Sequence, residues 1–119
     1  DAVAAAGLGD GEYEFTGRRV VVREGAVRLE DGTLAGSTLT LDRAVRNMVE
    51  LAGASREEAI RMATWTPARI AGVAGRKGRI APGLDADLVA LDAEGGVAAT
   101  WTRGRLAWRR DGSVEEAGA

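Results

Sequence analysis

Along the first third of the chain, short apolar runs alternate with polar ones and are separated by glycine-containing pairs. Residues 12–15 place Tyr13 and Phe15 on one face, the two-residue period of a half-buried strand. Thr16-Gly17-Arg18 is a turn signal, residues 19–23 a second strand, Glu24-Gly25 another turn and residues 26–29 a third strand. Glu30-Asp31-Gly32 closes that strand, so the pattern predicts a three-stranded meander. Ahead of it, residues 1–11 are rich in small side chains, and Gly7, Gly9 and Gly11 favour a loop.

The period then changes. Leu41, Ala44, Val45, Met48, Val49 and Ala52 recur on one face of a helix, with Arg43, Arg46, Asn47 and Glu50 opposite. Thr38 or Thr40 can cap its start, and Gly53 can end it in a left-handed conformation. Ser55-Arg56-Glu57-Glu58 has the spacing of a capping box and predicts a second helix to about Thr64. Thr66-Pro67 predicts a third, with Thr66 as cap and Pro67 in the first helical position, ending near Gly72. From Lys77 onward the pattern predicts β-structure. A strand at Gly78-Arg79-Ile80 leads through a Pro82-Gly83 turn to a buried apolar strand over residues 87–91. Residues 97–102 and 105–109 then flank Arg103-Gly104 as a hairpin. Residues 113–119 are small and acidic, a composition expected to fray.

Composition narrows what such elements can bury. Apolar residues make up 45% of the 119, enough for one domain or part of a larger one. Aromatics are confined to Tyr13, Phe15, Trp65, Trp101 and Trp108, so the core must rest on Val, Leu, Ile and Ala. Alanine removes little area from water, which predicts a thin core and marginal stability for the chain alone. Trp65, Trp101 and Trp108, with Met48 and Met62, are expected to pack in the core rather than form a sugar-stacking platform. A net charge of −2 from 16 basic and 18 acidic residues contains no basic stripe. Nucleic acid is therefore not an expected partner, and Arg109-Arg110 is a solvated strand end. No apolar run approaches a membrane span and no secretory signal is visible, so cytoplasm is the expected location.

Candidate chemistry is limited by what is missing. With no His, the chain by itself cannot assemble a histidine base, a Ser-His-Asp triad or a histidine-held zinc. With no Cys it makes no disulfide. It opens on Asp rather than Met, which is expected of a piece of a longer polypeptide. The pair Asp85 and Asp87 could work as acid and base, but aspartates beside a Pro-Gly turn more often bond backbone N–H groups.

Several stretches carry a family resemblance. Lys77-Gly78, Ile80-Ala81-Pro82-Gly83 and Ala86-Asp87-Leu88-Val89 resemble the segment where amidohydrolase-superfamily chains leave their barrel for a small β-sandwich. Ala59 to Thr64 and Thr66-Pro67-Ala68-Arg69 resemble the helices before it. Thr33-Leu34-Ala35-Gly36-Ser37-Thr38-Leu39-Thr40 and Val45-Arg46-Asn47-Met48-Val49-Glu50 resemble N-acetylglucosamine-6-phosphate deacetylases. Asp1-Ala2, about thirty residues before Thr33, stands where that family carries its catalytic Thr-Asp-Ala.

The resemblance implies an α/β fold: the C-terminal portion of a metal-dependent hydrolase (β/α)8 barrel over residues 1–75, and strands of the β-sandwich over 76–119. It implies that Asp1 takes a proton from an attacking water and returns it to the leaving amine. One carboxyl can serve both steps, and an amine leaves poorly unless protonated. It implies that Leu34, Ala35 and Gly36 contact a phosphosugar, Gly36 permitting close backbone approach and Ala35 leaving room. The divalent metal, zinc or iron, would be held outside this chain, in a parent enzyme that forms a homo-oligomer. A full barrel needs ~250 residues, so the chain alone is expected to be inactive. Two alternatives stay open. The exit motif at Pro82-Gly83 fits an amidohydrolase acting on a cyclic amide equally well, and the missing His suits a non-catalytic small α+β module.

Overall fold

A computed structural model describes residues 2–112; Asp1 and residues 113–119, including the tail expected to fray, lie outside the described residues. The chain divides into two compact units, Asp1–Ala44 and Val45–Ala119.

The first unit is an antiparallel sheet of four strands in sequential order: β1 (Gly11–Phe15), β2 (Arg18–Arg23), β3 (Ala26–Leu29) and β4 (Leu34–Ser37). The first two hairpins turn on two residues with positive φ, Thr16-Gly17 and Glu24-Gly25, the type I′ geometry whose twist matches the flanking strands. Cross-strand pairs Tyr13–Val20, Val22–Val27 and Val20–Leu29 put the apolar positions on one face. That face, with Val3 and Ala5, closes a core in which Val20 and Val27 are fully buried, and Tyr13, Phe15, Leu29 and Ala35 pack against it.

The expected meander of three strands is thus a sheet of four. The segment Leu-Ala-Gly-Ser has no alternating pattern, but the backbone of Arg28 pairs with Leu34 and that of Val27 with Gly36. Ala35 is the extra residue, a β-bulge that bends the strand and leaves one residue unpaired. Asp31 tightens the preceding turn by accepting the Thr33 N–H at 2.9 Å.

Helix α1 (Leu41–Glu50) has the expected period and starts one residue past Thr40, whose carbonyl accepts the Ala44 N–H. It ends with Gly53 at φ +71°, the left-handed conformation expected of it, and a bond from the Ala54 N–H to the Met48 carbonyl. None of its residues is buried, and Leu41 is 66% exposed.

In the second unit, α2 (Arg56–Ala63) begins with the expected capping box: the Glu58 N–H donates to the Ser55 hydroxyl and the Ser55 N–H to the Glu58 carboxylate. Helix α3 (Trp65–Ile70) starts earlier than expected, with Thr64 at the cap position and Pro67 third in the helix. Proline is tolerated there because the first four helical N–H groups have no intrahelical acceptor. Ala59 and Ala68 are the buried residues of these two helices, so their packing rests on alanine.

A three-stranded antiparallel sheet follows: β5 (Leu88–Leu91), β6 (Val97–Thr102) and β7 (Arg105–Arg109), with Arg103-Gly104 as another positive-φ turn. Gly78-Arg79-Ile80 is not a strand. Gly78 turns with φ +95° against α3, and Ile80 is almost wholly exposed. Nor is β5 fully buried. The row Val89–Thr100–Trp108 crosses an open face, leaving Trp108 exposed instead of in the core, and Met62 is exposed on α2, whose buried residue is Ala59. Trp65 is half-buried beneath the Arg79 guanidinium, 4.7 Å from the ring centre. Among the described residues, no helix is long and apolar enough to cross a membrane.

Candidate active site

The segment that follows Asp1 is held by β4. Ala2 forms a parallel bridge with Ser37, and the Val3 N–H donates to the Ser37 carbonyl at 2.9 Å. Val3 and Ala5 are then buried in the first unit's core, so this approach is anchored by apolar packing as well as by the backbone. Asp1 itself lies outside the described residues, one peptide bond from Ala2.

On β4, the side chain of Leu34 is exposed, Ala35 packs against the Val core, and Gly36 adopts φ +128°. Only glycine takes that backbone conformation without strain. Ala35 therefore serves the core as well as keeping the strand small. The bulge and Gly36 together re-aim β4 so that Ser37, its last residue, works on both edges: antiparallel to Ala26 and parallel to Ala2. Two stretches far apart in sequence, Ala2-Val3 and Leu34–Ser37, thus share one strand edge.

Two neighbouring groups hold that edge in roles that the sequence pattern did not assign to them. The Ser37 hydroxyl accepts the Leu39 N–H at 2.9 Å. The Thr38 hydroxyl, expected to serve a helix cap, donates to the Gly25 carbonyl at 3.0 Å and ties the end of β4 to the β2–β3 turn. Sequence pattern marks Ser and Thr before a helix as caps, and only the folded hairpin supplies the other partner.

The aspartate pair near the Pro82-Gly83 turn has a different role. Asp85 bonds Arg76 at 2.8 Å and pairs with Lys77, while Asp87 pairs with Lys77 and accepts the Arg103 N–H at 2.8 Å. Hydrogen bonding to Lys77 is the leading cause that holds both carboxyls below the ordinary carboxylate range. Both are ionised at neutral pH, which suits a structural clamp and not an acid–base couple. Asp92 is similar: the Arg110 guanidinium and then the Gly96 N–H lower it, and its carbonyl accepts from Arg56.

A catalytic metal does not fit the residues present. The chain has no His, and among the described residues no group of three or more His, Cys, Asp and Glu side chains could hold an ion. Shallow depressions beside the β1–β2 hairpin, lined by Glu12, Tyr13, Glu14, Gly17 and Arg19, include no residue of β4.

The sequence pattern of the amidohydrolase family matches residues 27–107. The chain belongs to the amidohydrolase family. This amidohydrolase chain is 50% identical over 107 residues to the N-acetylgalactosamine-6-phosphate deacetylase of Escherichia coli O157:H7, a stretch covering 90% of the chain and 28% of the relative. It is 39% identical over 108 residues to the N-acetylglucosamine-6-phosphate deacetylase of Bacillus subtilis (strain 168), covering 91% of the chain and 27% of the relative. The crystal structure of N-acetylglucosamine-6-phosphate deacetylase from Thermotoga maritima superposes with a TM-score of 0.83 at 40% identity, covering 92% of this chain and 30% of that one. The chain spans 24% to 64% of the lengths of the curated relatives it matches.

Proposed function

We propose that this amidohydrolase chain is the C-terminal part of a metal-dependent deacetylase that hydrolyses the N-acetyl group of N-acetylglucosamine 6-phosphate, giving glucosamine 6-phosphate and acetate. The observation that carries this reading is the bridge from Ala2 to Ser37, which sets the residue after Asp1 beside the strand Leu34-Ala35-Gly36. In this reading residues 1–75 complete a (β/α)8 barrel and 76–119 supply strands of a β-sandwich. The parent enzyme is a cytoplasmic homo-oligomer.

Asp1 takes the proton of the attacking water and passes it to the sugar nitrogen as the C–N bond breaks, so the amine leaves neutral. Leu34, Ala35 and Gly36 line the sugar, with backbone exposed where Gly36 carries no side chain. The divalent metal, zinc or iron, belongs to residues outside these 119, so the isolated chain does not turn over substrate.

The test is acetate release from N-acetylglucosamine 6-phosphate by the full-length protein loaded with zinc or iron. Asp1→Asn lowers kcat by about 10²–10⁴-fold; undiminished turnover in that variant removes Asp1 from the mechanism. Acetate release by the 119-residue chain alone contradicts its dependence on outside ligands. A second reading, N-acetylgalactosamine 6-phosphate as substrate, is favoured by the 50% identity to the Escherichia coli O157:H7 relative against 39% to that of Bacillus subtilis. The two sugars are epimers at C4, and the ratio of their kcat/KM values decides between them.

A further inference from the structure

We infer that Lys77 is an acylation-sensitive latch on the loop of residues 76–85: its charged ammonium holds the neck of the loop shut, and an acyl group on Nζ releases it.

Lys77 is the only lysine among the 16 basic residues of the chain; the rest are arginines. It stands where the two ends of an irregular segment meet. The Asp85 N–H donates to the Arg76 carbonyl at 2.9 Å, so residues 76–85 leave and return at one point, as in an Ω-loop. The outgoing limb is fixed by packing, through the close fit of Gly78 against Ala68 of α3. The returning limb is held by charge. Lys77 Nζ reaches Asp85 Oδ2 at 3.3 Å and also pairs with Asp87 Oδ2. Beyond the neck, Arg79 lies over the Trp65 ring and Ile80 is exposed.

One ammonium thus stands between two carboxylates that lie within a few ångströms of each other. With Nζ charged, each carboxylate has an opposite charge beside it. With Nζ neutral, the pair becomes two like charges at short range, which favours their separation. What then remains at the neck is Arg76 on Asp85 and the Arg103 N–H on Asp87. The Arg76 side chain is 65% exposed, so its pair contributes little. Acylation makes this change, because it removes both the charge and the ion-pair donor. An acyl phosphate can supply the group. The lone pair of a deprotonated Nζ attacks the acyl carbon, the N–C bond forms and the C–O bond to phosphate breaks. Phosphate leaves with that electron pair, and the nitrogen proton passes to solvent. The Lys77 side chain is 39% exposed, within reach of a small reagent. In the closed loop Asp87, and then Asp85, hold Nζ in its protonated form. Acylation therefore proceeds from the open loop and then blocks its closure.

The experiment uses the full-length protein. Lys77→Gln puts a neutral amide in the latch, Lys77→Arg keeps the charge, and Lys77→Gln with Asp85→Asn also removes one of the facing carboxylates. Amide hydrogen exchange is followed over residues 79–84, with β6 as the reference. Lys77→Gln should quicken exchange in the loop about three- to thirtyfold, the range for losing two exposed ion pairs, while β6 is unchanged. Lys77→Arg should stay within about twofold of wild type, and the double variant should exchange about threefold more slowly than Lys77→Gln. Wild-type exchange in Lys77→Gln, equal opening in Lys77→Arg or no slowing in the double variant overturns the inference, as does equal quickening over β6. A second measurement needs no change at Lys77 and stands if Lys77→Gln does not fold. Wild type and Asp87→Asn are treated with acetyl phosphate, and the acetyl group on Lys77 is followed by mass spectrometry. It should enter Asp87→Asn about three- to tenfold faster than wild type; equal rates overturn the inference.

Discussion

Gly78 and Ala68 are in such close approach that a Cβ on Gly78 would stand 2.6 Å from the Cβ of Ala68, with the Thr64 carbonyl at 3.1 Å. Gly78 also holds φ +95°, where an L side chain is strained. The Lys77-Gly78 segment therefore lies directly on α3, and this contact turns the chain where the sequence pattern predicted a strand. Gly78→Ala combines overpacking with backbone strain and should destabilise the second unit by roughly 2 kcal/mol or more. Thermal unfolding followed by circular dichroism checks this, and an unchanged melting temperature would show that the contact relaxes freely.

The clamp around Lys77 makes stability depend on acid. Asp85 and Asp87, lowered chiefly by Lys77, and Asp92, lowered chiefly by Arg110, bind their protons more weakly folded than unfolded. Their contribution is complete above the ordinary carboxylate range and is lost as pH falls through the lowered folded values. Lys77 is raised, mainly by Asp87, so its share is present below its ordinary value and lost only in strong alkali. Melting temperature should hold a plateau at neutral pH and fall toward acid, and Asp87→Asn should flatten that fall. A variant with the wild-type acid slope would separate Asp87 from the pH dependence.

The capping box predicts a local effect. Ser55→Ala leaves the Glu58 N–H without its side-chain acceptor and should cost about 1 kcal/mol. Amide hydrogen exchange over the first turn of α2 should quicken accordingly, while the sheet of the first unit keeps its protection. Equal acceleration in both places would point to global loss instead of a frayed helix start.

Much of the local structure was legible because each signal is complete within a few residues. Ser55 and Glu58 satisfy one another, Arg103-Gly104 and Glu24-Gly25 contain the positive-φ turn they form, and Gly53 ends α1 without help from elsewhere. Tyr13 and Phe15 declared their face by alternation, and the sheet put both against Val20 and its neighbours. The expected core was right in its reliance on Val and Ala, but Met62 and Trp108 are outside it. Hydrophobicity says that a side chain benefits from burial, not that a neighbour is there to cover it.

The site divides in the same way. The sequence by itself determined the chemistry available: no histidine, a lone aspartate before a small-residue segment, and a resemblance that pointed to Asp1, Leu34, Ala35 and Gly36. It also determined the hairpins and helix ends, since these are closed by contacts a few residues apart. Only the tertiary structure decided that Leu34–Ser37 is a bulged fourth strand, that Ala2 lies along its edge, and that the Thr38 hydroxyl bonds the Gly25 carbonyl. Those contacts join residues 6 to 35 positions apart, and nothing in the local pattern of either partner specifies the other. Their pairing comes from burying Val3, Val20, Val22 and Val27 in one cluster, a condition that the whole sheet satisfies and no single segment can.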